Sequence, residues 1–419
     1  MRFAPFFAAA IFATPLFASG SGGLIAIDAA GIVWRTGATG FMTTTSTAFQ
    51  KTAGFGVCGT ENLTPFQPPV PLTCQHAFLT KQDGAGNVLY STYLAGSSQD
   101  AGTALTTDSQ GNVYVTGYTY SPDFPVTPGV VQSKNTGPTT PAQYTAQGAP
   151  FGPATVVAGG DVFIAKFASD GTLIFSTFLG GTGSEMPTLI AIDTSGSIYI
   201  SGVTVSTDFP TTADSLTSQG TSNFFVRLNA TGTALVESTY FRSQILAFDV
   251  DPQGRAYLTG TLSGQPFVTI LDTVTGNIVN SIVLSTLKPN LAGAGVAIAR
   301  NAAQNLMVAV SPAPPQAYNF YSGRPLLFSP GDSYLFELRS DGGAILAETD
   351  LAHSVFHSIL LDTAGNAYAF GTGTVALPNT AIQLLASSCS QNDSAFVLQT
   401  DPNGTLVTAT YFRQADDTA

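Results

Sequence analysis

Charge is scarce in this 419-residue chain. Asp, Glu, Lys and Arg make up only 10% of it, and the balance is acidic, at −12. Its 14 Lys and Arg residues form no run. Nucleic-acid binding needs clustered basic side chains that displace counterions, and docking on an anionic lipid surface needs a polybasic patch. Neither partner is expected. His (3), Cys (3), Met (4) and Trp (1) are also rare. The cysteines fit no zinc spacing. There is no calcium-loop pattern, Gly-x-Ser-x-Gly elbow, phosphate loop or dinucleotide fingerprint. No catalytic residue, metal or cofactor is therefore assigned. Leu/Glu/Lys-rich helical stretches are missing, and no apolar run reaches the roughly 20 residues that a membrane-spanning helix requires.

Turn formers are plentiful instead. The chain has 43 Gly and 25 Pro, and 44% of its residues are hydrophobic. That composition predicts many short strands joined by turns around a sizeable core. The first residues, "MRFAPFFAAAIFATPLFASGSGG", have the layout of a secretory signal peptide. Arg2 supplies the positive end, residues 3–17 the apolar stretch, and Ala18, Ser19 and Gly20 the small residues. Pro5 and Pro15 argue against a spanning helix. Residues 1–20 are expected to be removed, leaving a secreted or cell-surface protein. With no Cys soon after the apolar run, a lipid-anchored start is not expected.

Two phrases alternate along the rest. The first is a short apolar strand, an Asp-x-x-Gly turn, and a strand rich in Val, Ile and Tyr. "ALTTDSQGNVYVTGYT" (104–119) and "IAIDTSGSIYISGVT" (190–204) are its clearest copies; others begin at 25, 248 and 359, and a degraded one spans 296–310. The second is a strand, a Gly-containing turn and another strand, often ending Ser-Thr-Tyr/Phe. "HAFLTKQDGAGNVLYSTYLAG" (76–96) and "DVFIAKFASDGTLIFSTFLGG" (161–181) are two of its six copies. Asp suits the first position of a type I turn, and Gly accepts the left-handed residue that closes it. The recurrent Asp28, Asp108, Asp193, Asp251 and Asp362 are therefore assigned to turns. Each phrase is a hairpin, and two hairpins make a four-stranded antiparallel sheet. Six such units predict an all-β, six-bladed β-propeller. The approximate blades are 24–96, 102–181, 189–241, 246–284, 294–351 and 356–412, in one domain over 21–419. β-Sandwich strings need longer units, and a parallel β-helix shorter rungs.

The pattern resembles the bacterial β-propeller repeat known as the SBBP repeat. That family's phrase runs Asp-x-x-Gly-Asn-x-Tyr-x-x-Gly-x-Thr-x-Ser-x-Asp-Phe-Pro, then Asp-x-Phe-x-x-Lys and Tyr-Ser-Thr-Tyr-Leu-Gly-Gly. Residues 104–181 and 190–241 follow it well; Lys81 and Lys166 hold its Lys position and Arg227 replaces it. Between 266 and 351 the Asp-Phe-Pro is absent. The resemblance implies a propeller, conventionally of seven blades where six are counted here, and it carries over no catalytic residue.

With strands A to D in each blade, the A–B and C–D turns are short. The B–C connections carry insertions at 40–75, 120–160, 205–222, 311–331 and 373–392, and only the fourth blade has a short one, at 262–265. Long loops on a rigid scaffold are where binding residues gather, although tolerated decoration has the same look. Candidate binding residues are Tyr118, Tyr120, Tyr318, Phe320, Tyr321 and Arg324; packing of these rings onto the blades is the competing reading. Cys58 and Cys74 are the preferred disulfide, with a bridge from Cys389 across the closure seam as the alternative. His353 and His357 have i,i+4 spacing but fall in a connection and at a strand edge, where structural roles suit them. His76 opens a C strand where other copies have Asp or Asn. Asp100 and Glu185 fall in D–A connections, with no partner legible. Three functions stay open: a non-enzymatic monomer binding an extracellular protein or glycan through its long loops, a polysaccharide-active hydrolase or lyase with a site on the same face, and a purely structural cell-surface module.

Overall fold

The computed structural model describes residues 25–28, 30–54, 56–61, 70–141, 159–218, 220, 222–312, 332–352, 354–362, 364–373 and 394–412. The leader at 1–20 lies outside them. Six four-stranded antiparallel sheets follow one another along the chain. The first comprises β1 (Ile25–Ile27), β2 (Val33–Thr39), β5 (His76–Gln82) and β6 (Val88–Leu94). A small hairpin, β3 (Val57–Glu61) and β4 (Val70–Thr73), sits in its long connection. The second is β7 (Asp100–Thr107), β8 (Val113–Thr119), β9 (Asp161–Phe167) and β10 (Leu173–Leu179). The third is β11 (Glu185–Ile192), β12 (Ile198–Thr204), β13 (Ser222–Leu228) and β14 (Leu235–Phe241). β15 (Gln244–Val250), β16 (Arg255–Leu262), β17 (Gln265–Asp272) and β18 (Asn277–Val283) form the fourth. β19 (Ala294–Arg300), β20 (Leu306–Ser311), β21 (Ser333–Leu338) and β22 (Ile345–Leu351) form the fifth, and β23 (Ser354–Leu361), β24 (Ala367–Gly373), β25 (Ser394–Thr400) and β26 (Leu406–Phe412) the sixth. Residues 25–39 pair with the strands at 76–94, so each sheet is built from its own two phrases.

The turns explain why the phrases recur. Asp108 Oδ1 accepts the N–H of Gln110 at 3.0 Å and of Asn112 at 2.9 Å, and Gly111 takes a φ of 79°. Asp108 Oδ2 accepts the Tyr114 hydroxyl at 3.2 Å. The same two amide bonds recur at Asp28, Asp193, Asp251 and Asp362. The basic position of the second phrase completes the motif. Lys166 lies 4.7 Å over the Tyr114 ring and 4.0 Å from Asp108, and Arg227 lies 5.3 Å over Tyr199 and 3.4 Å from Asp193. A cation over a ring that itself bonds the turn carboxylate ties three strands of one sheet together.

The degraded fifth copy inverts this device. Asn301 stands where Asp belongs, and Glu337 where Lys belongs. Asn301 and Asn305 Nδ2 donate to Glu337 Oε1 at 2.9 and 2.8 Å. Gln304 occupies the glycine position at a φ of 64°. An L residue pays about 1–2 kcal/mol for that conformation. Gln304→Gly should therefore raise stability by about 0.5–1 kcal/mol after the entropic cost of glycine, losing only an exposed bond to Arg300. Urea denaturation checks this, and an unchanged or lower midpoint would refute it. In the fourth sheet the connection is just Ser263–Gly264, at φ 52° and 79°, as a type I′ hairpin requires.

By internal contacts the chain divides into residues 1–242 and 243–419, three sheets each. In the first unit β7 packs against β2 and β11; in the second, β19 packs against β15 and β23. Within each unit the core lies between consecutive sheets. Trp34, Leu79, Phe163 and Phe167 fill the space between the first two, and Ile200, Phe224 and Val226 belong to the cluster between the next two. Strands covered on both faces show no apolar alternation, and every residue of β8 is buried.

Candidate functional site

In the first unit, the ends of β5, β7, β8, β9, β11 and β12 gather buried polar side chains that the sequence left apart. Register puts Asp100 opposite Thr119, Thr119 opposite Asp161, and Glu185 opposite Thr204. Asp100 and Glu185 are not in connections, as the sequence suggested; they open β7 and β11 and are fully buried. His76 and Asp161 open the third strands of their sheets and are buried too.

At the first seam His76 uses both ring nitrogens. Nδ1 lies 3.1 Å from Asp100 Oδ2, and Nε2 lies 2.6 Å from the Gly54 carbonyl. A carbonyl only accepts, so Nε2 keeps its proton and a second proton sits between Nδ1 and the carboxylate. Thr119 Oγ1 donates to Asp100 Oδ1 at 2.5 Å, and the Gly96 N–H to Oδ2 at 3.1 Å. Burial alone would lower the His76 pKa, but the bonds to Asp100 and Gly54 and the Asp100 charge outweigh it, leaving the pKa raised.

The second seam repeats this frame with other residues. Thr204 Oγ1 and Ser206 Oγ donate to Glu185 Oε1 at 2.7 and 2.5 Å. Opposite stands Asp161, whose Oδ2 accepts the Thr136 N–H at 2.7 Å and Gln132 Nε2 at 3.1 Å. Where the first seam sets an imidazole against a carboxylate, the second sets carboxyl against carboxyl. Burial pushes Asp161 up to about 6 and Glu185 up to about 7, against the pull of their donors. Among the described residues, no three His, Cys, Asp or Glu side chains converge as a metal would need.

The Asp-Phe-Pro phrase ties these seams to the sheets. Asp123 Oδ1 accepts the N–H and hydroxyl of Ser97, both at 2.8 Å, and Asp208 Oδ1 accepts those of Thr182 at 2.8 and 3.1 Å. The adjoining Phe124 and Phe209 stack on Phe163 and Phe224 at 4.6 and 4.7 Å. The aspartate thus locks the preceding connection, and the phenylalanine fills the sheet beside it.

Residues 89–125 match the SBBP beta-propeller repeat. The matched SBBP segment runs from β6 through β7 and β8 to the end of Asp-Phe-Pro, and so contains Asp100 and Thr119 of the first seam and Ser121, whose hydroxyl also bears on Asp100. No curated protein matches the chain. Similar solved structures include the WD40 domain of Neurospora crassa Pan2 (9% identity, 95% of this chain and 81% of that one, TM-score 0.48). The Dos1 propeller is another (5%, 97% and 78%, TM-score 0.43). Kuenenia stuttgartiensis hydrazine synthase is a third (9%, 58% and 60%, TM-score 0.39). The chain spans 60% of that hydrazine synthase chain.

Within the SBBP segment, Tyr118 and Tyr120 are buried, at 5% and 4% exposure, and meet edge to face at 6.0 Å. The Tyr120 hydroxyl accepts the Gly159 N–H at 2.9 Å. These rings brace the root of the second insertion. Cys58 and Cys74 are bridged, with Cα atoms 4.8 Å apart, and the Cys74 N–H donates to the Gly56 carbonyl at 2.9 Å. Tyr318, Phe320, Tyr321, Arg324, Cys389 and His353 lie outside the described residues. His357 is on β23, its Nε2 3.0 Å from Thr372 Oγ1. Among the described residues no helix is long and apolar enough to cross a membrane.

Sequence reasoning missed the two seam pairs. The signal was there in aligned copies: His76 and Asp161 share one column, Asp100 and Glu185 another, and the columns change together.

Proposed function

We propose that the six sheets are the blades of one closed propeller spanning 21–419, exported by the leader at 1–20. On this reading it is a non-enzymatic monomer that binds an extracellular protein or glycan through its long B–C connections. One observation carries this reading. The four ionisable side chains that converge at the seams are all buried and each is engaged in internal bonds. The connections themselves reach solvent: Phe41, in the first, is 73% exposed. A large apolar ring held out on a loop is the kind of anchor that dominates recognition surfaces.

A glycan array and a defined panel of extracellular-matrix proteins, probed with the chain from residue 21, test this reading. Saturable binding that Phe41→Ala weakens at least tenfold would support it. Blank panels would leave the purely structural cell-surface module as the better reading. A second reading, a polysaccharide hydrolase or lyase, draws on one observation: Asp161 and Glu185 have pKa values raised toward neutrality, as acid/base carboxyl pairs do. Their burial argues against it. Turnover of a polysaccharide panel that Glu185→Gln abolishes would establish it.

A further inference from the structure

We propose that Asp161 and Glu185 share a proton, and that this makes the junction of the second and third sheets a latch that holds in acid and loosens as the pH rises. Both side chains are fully buried. One oxygen of each, Asp161 Oδ1 and Glu185 Oε2, has no partner. These two oxygens converge: a Cβ built on Gly180 would lie 2.5 Å from the first and 2.6 Å from the second. The donors around the pair are neutral: Thr136, Gln132, Thr204 and Ser206, with the backbone N–H groups of Gly137 and Gly181 bearing on Asp161 and Glu185.

The ionisable groups bearing on the pair from neighbouring segments are Asp208, in the connection after β12, and the Tyr240 hydroxyl on β14. Lys134, in the connection after β8, is exposed. Among the described residues no ion pair reaches either carboxylate, whereas at the first seam His76 supplies the positive charge. Two buried carboxylates facing each other without a cation cannot both ionise at low cost, and a proton bridges them without needing room.

The sign follows from linkage. Both carboxyls hold their protons to higher pH when folded than the ordinary 3.8 and 4.5, reaching about 6 and about 7. The folded state therefore binds more protons across that window, and stability falls as the pH rises through it. The residues released first are those the pair fastens, 132–137 on Asp161 and 180–185 beside Glu185.

The test is urea unfolding of the full chain from pH 4 to 9, with amide exchange read over 132–137 and 180–185. Wild type should lose midpoint between about pH 4 and 7, and protection of those amides, measured against their intrinsic exchange rates, should fall by about tenfold or more. Glu185→Gln, whose amide donates to Asp161 without titrating, should flatten both trends below about pH 6.5, leaving only the decline that His76 causes above it. Infrared difference spectra provide a readout independent of variant stability: a protonated-carboxyl C=O band should persist in wild type at pH 6.5. Equal slopes in wild type and variant, or absence of that band, would overturn the proposal. So would calcium at pH 8 restoring the wild-type midpoint with reversal by chelator, since a cation would then hold the pair.

Discussion

Phe124→Ala should lower stability by about 3–5 kcal/mol, and Phe209→Ala by a similar amount. Each ring is almost fully buried, at 2% and 3% exposure. Phe124 stacks on Phe163 and lies 6.1 Å from Phe178; Phe209 stacks on Phe224 and lies 6.1 Å from Tyr240. The space left by truncation cannot close easily, because Asp123 and Asp208 anchor the same segment to Ser97 and Thr182. Phe209 also presents its N–H to the Tyr240 hydroxyl at 2.9 Å, so its backbone is fixed as well. The two rings belong to different core clusters, and the double variant should show near-additive losses. Phe41→Ala, at an exposed ring, is the control and should change stability by less than about 0.5 kcal/mol. Urea unfolding measures all four, and a loss under about 1 kcal/mol for Phe124→Ala would contradict this account of the phrase.

The strand plan was legible because it is written in local chemistry. Asp-x-x-Gly specifies a turn through one carboxylate and one left-handed residue, and both show directly in the letters. Even the degraded fifth copy could be placed, since flanking apolar strands kept its frame after Asp became Asn301 and Gly became Gln304. The paired change of Lys to Glu337 was less visible. It makes sense only once register brings Asn301 and Glu337 together, 36 positions apart. Phe124 and Phe209 fall inside the insertions at 120–160 and 205–222, and a sequence does not say which face of a loop packs inward.

The seam pairs lay beyond local reading for a different reason. His76 and Asp100 are 24 positions apart on strands of adjacent sheets, and only the packing of β7 against the first sheet joins them. Single residues such as Asp100 and Glu185 looked like loop carboxylates because they precede apolar strands. Burial, which decides their chemistry, depends on the connections that fold over them.

Asp100→Asn should cost about 3–5 kcal/mol at pH 6, because it leaves the His76 imidazolium buried without its counter-charge. The pair also carries a pH signature. The His76 pKa is raised from 6.5, so its contribution is complete below that value and is lost as the pH climbs through the higher folded pKa. The carboxyl pair at the second seam loses its contribution over a lower window. In a Glu185→Gln background the remaining decline should therefore begin above about pH 6.5, and adding Asp100→Asn should remove it. Exchanging the first seam for the second sharpens the argument. His76→Asp with Asp100→Glu copies the residues of the second seam onto a frame that already has Thr119 and Ser121 where Thr204 and Ser206 stand. The exchanged chain should regain part of the stability lost in Asp100→Asn at pH 5 and little of it at pH 8, because a shared proton then does the work of an imidazolium. Equal recovery at both pH values would mean that packing, not the proton, holds these seams.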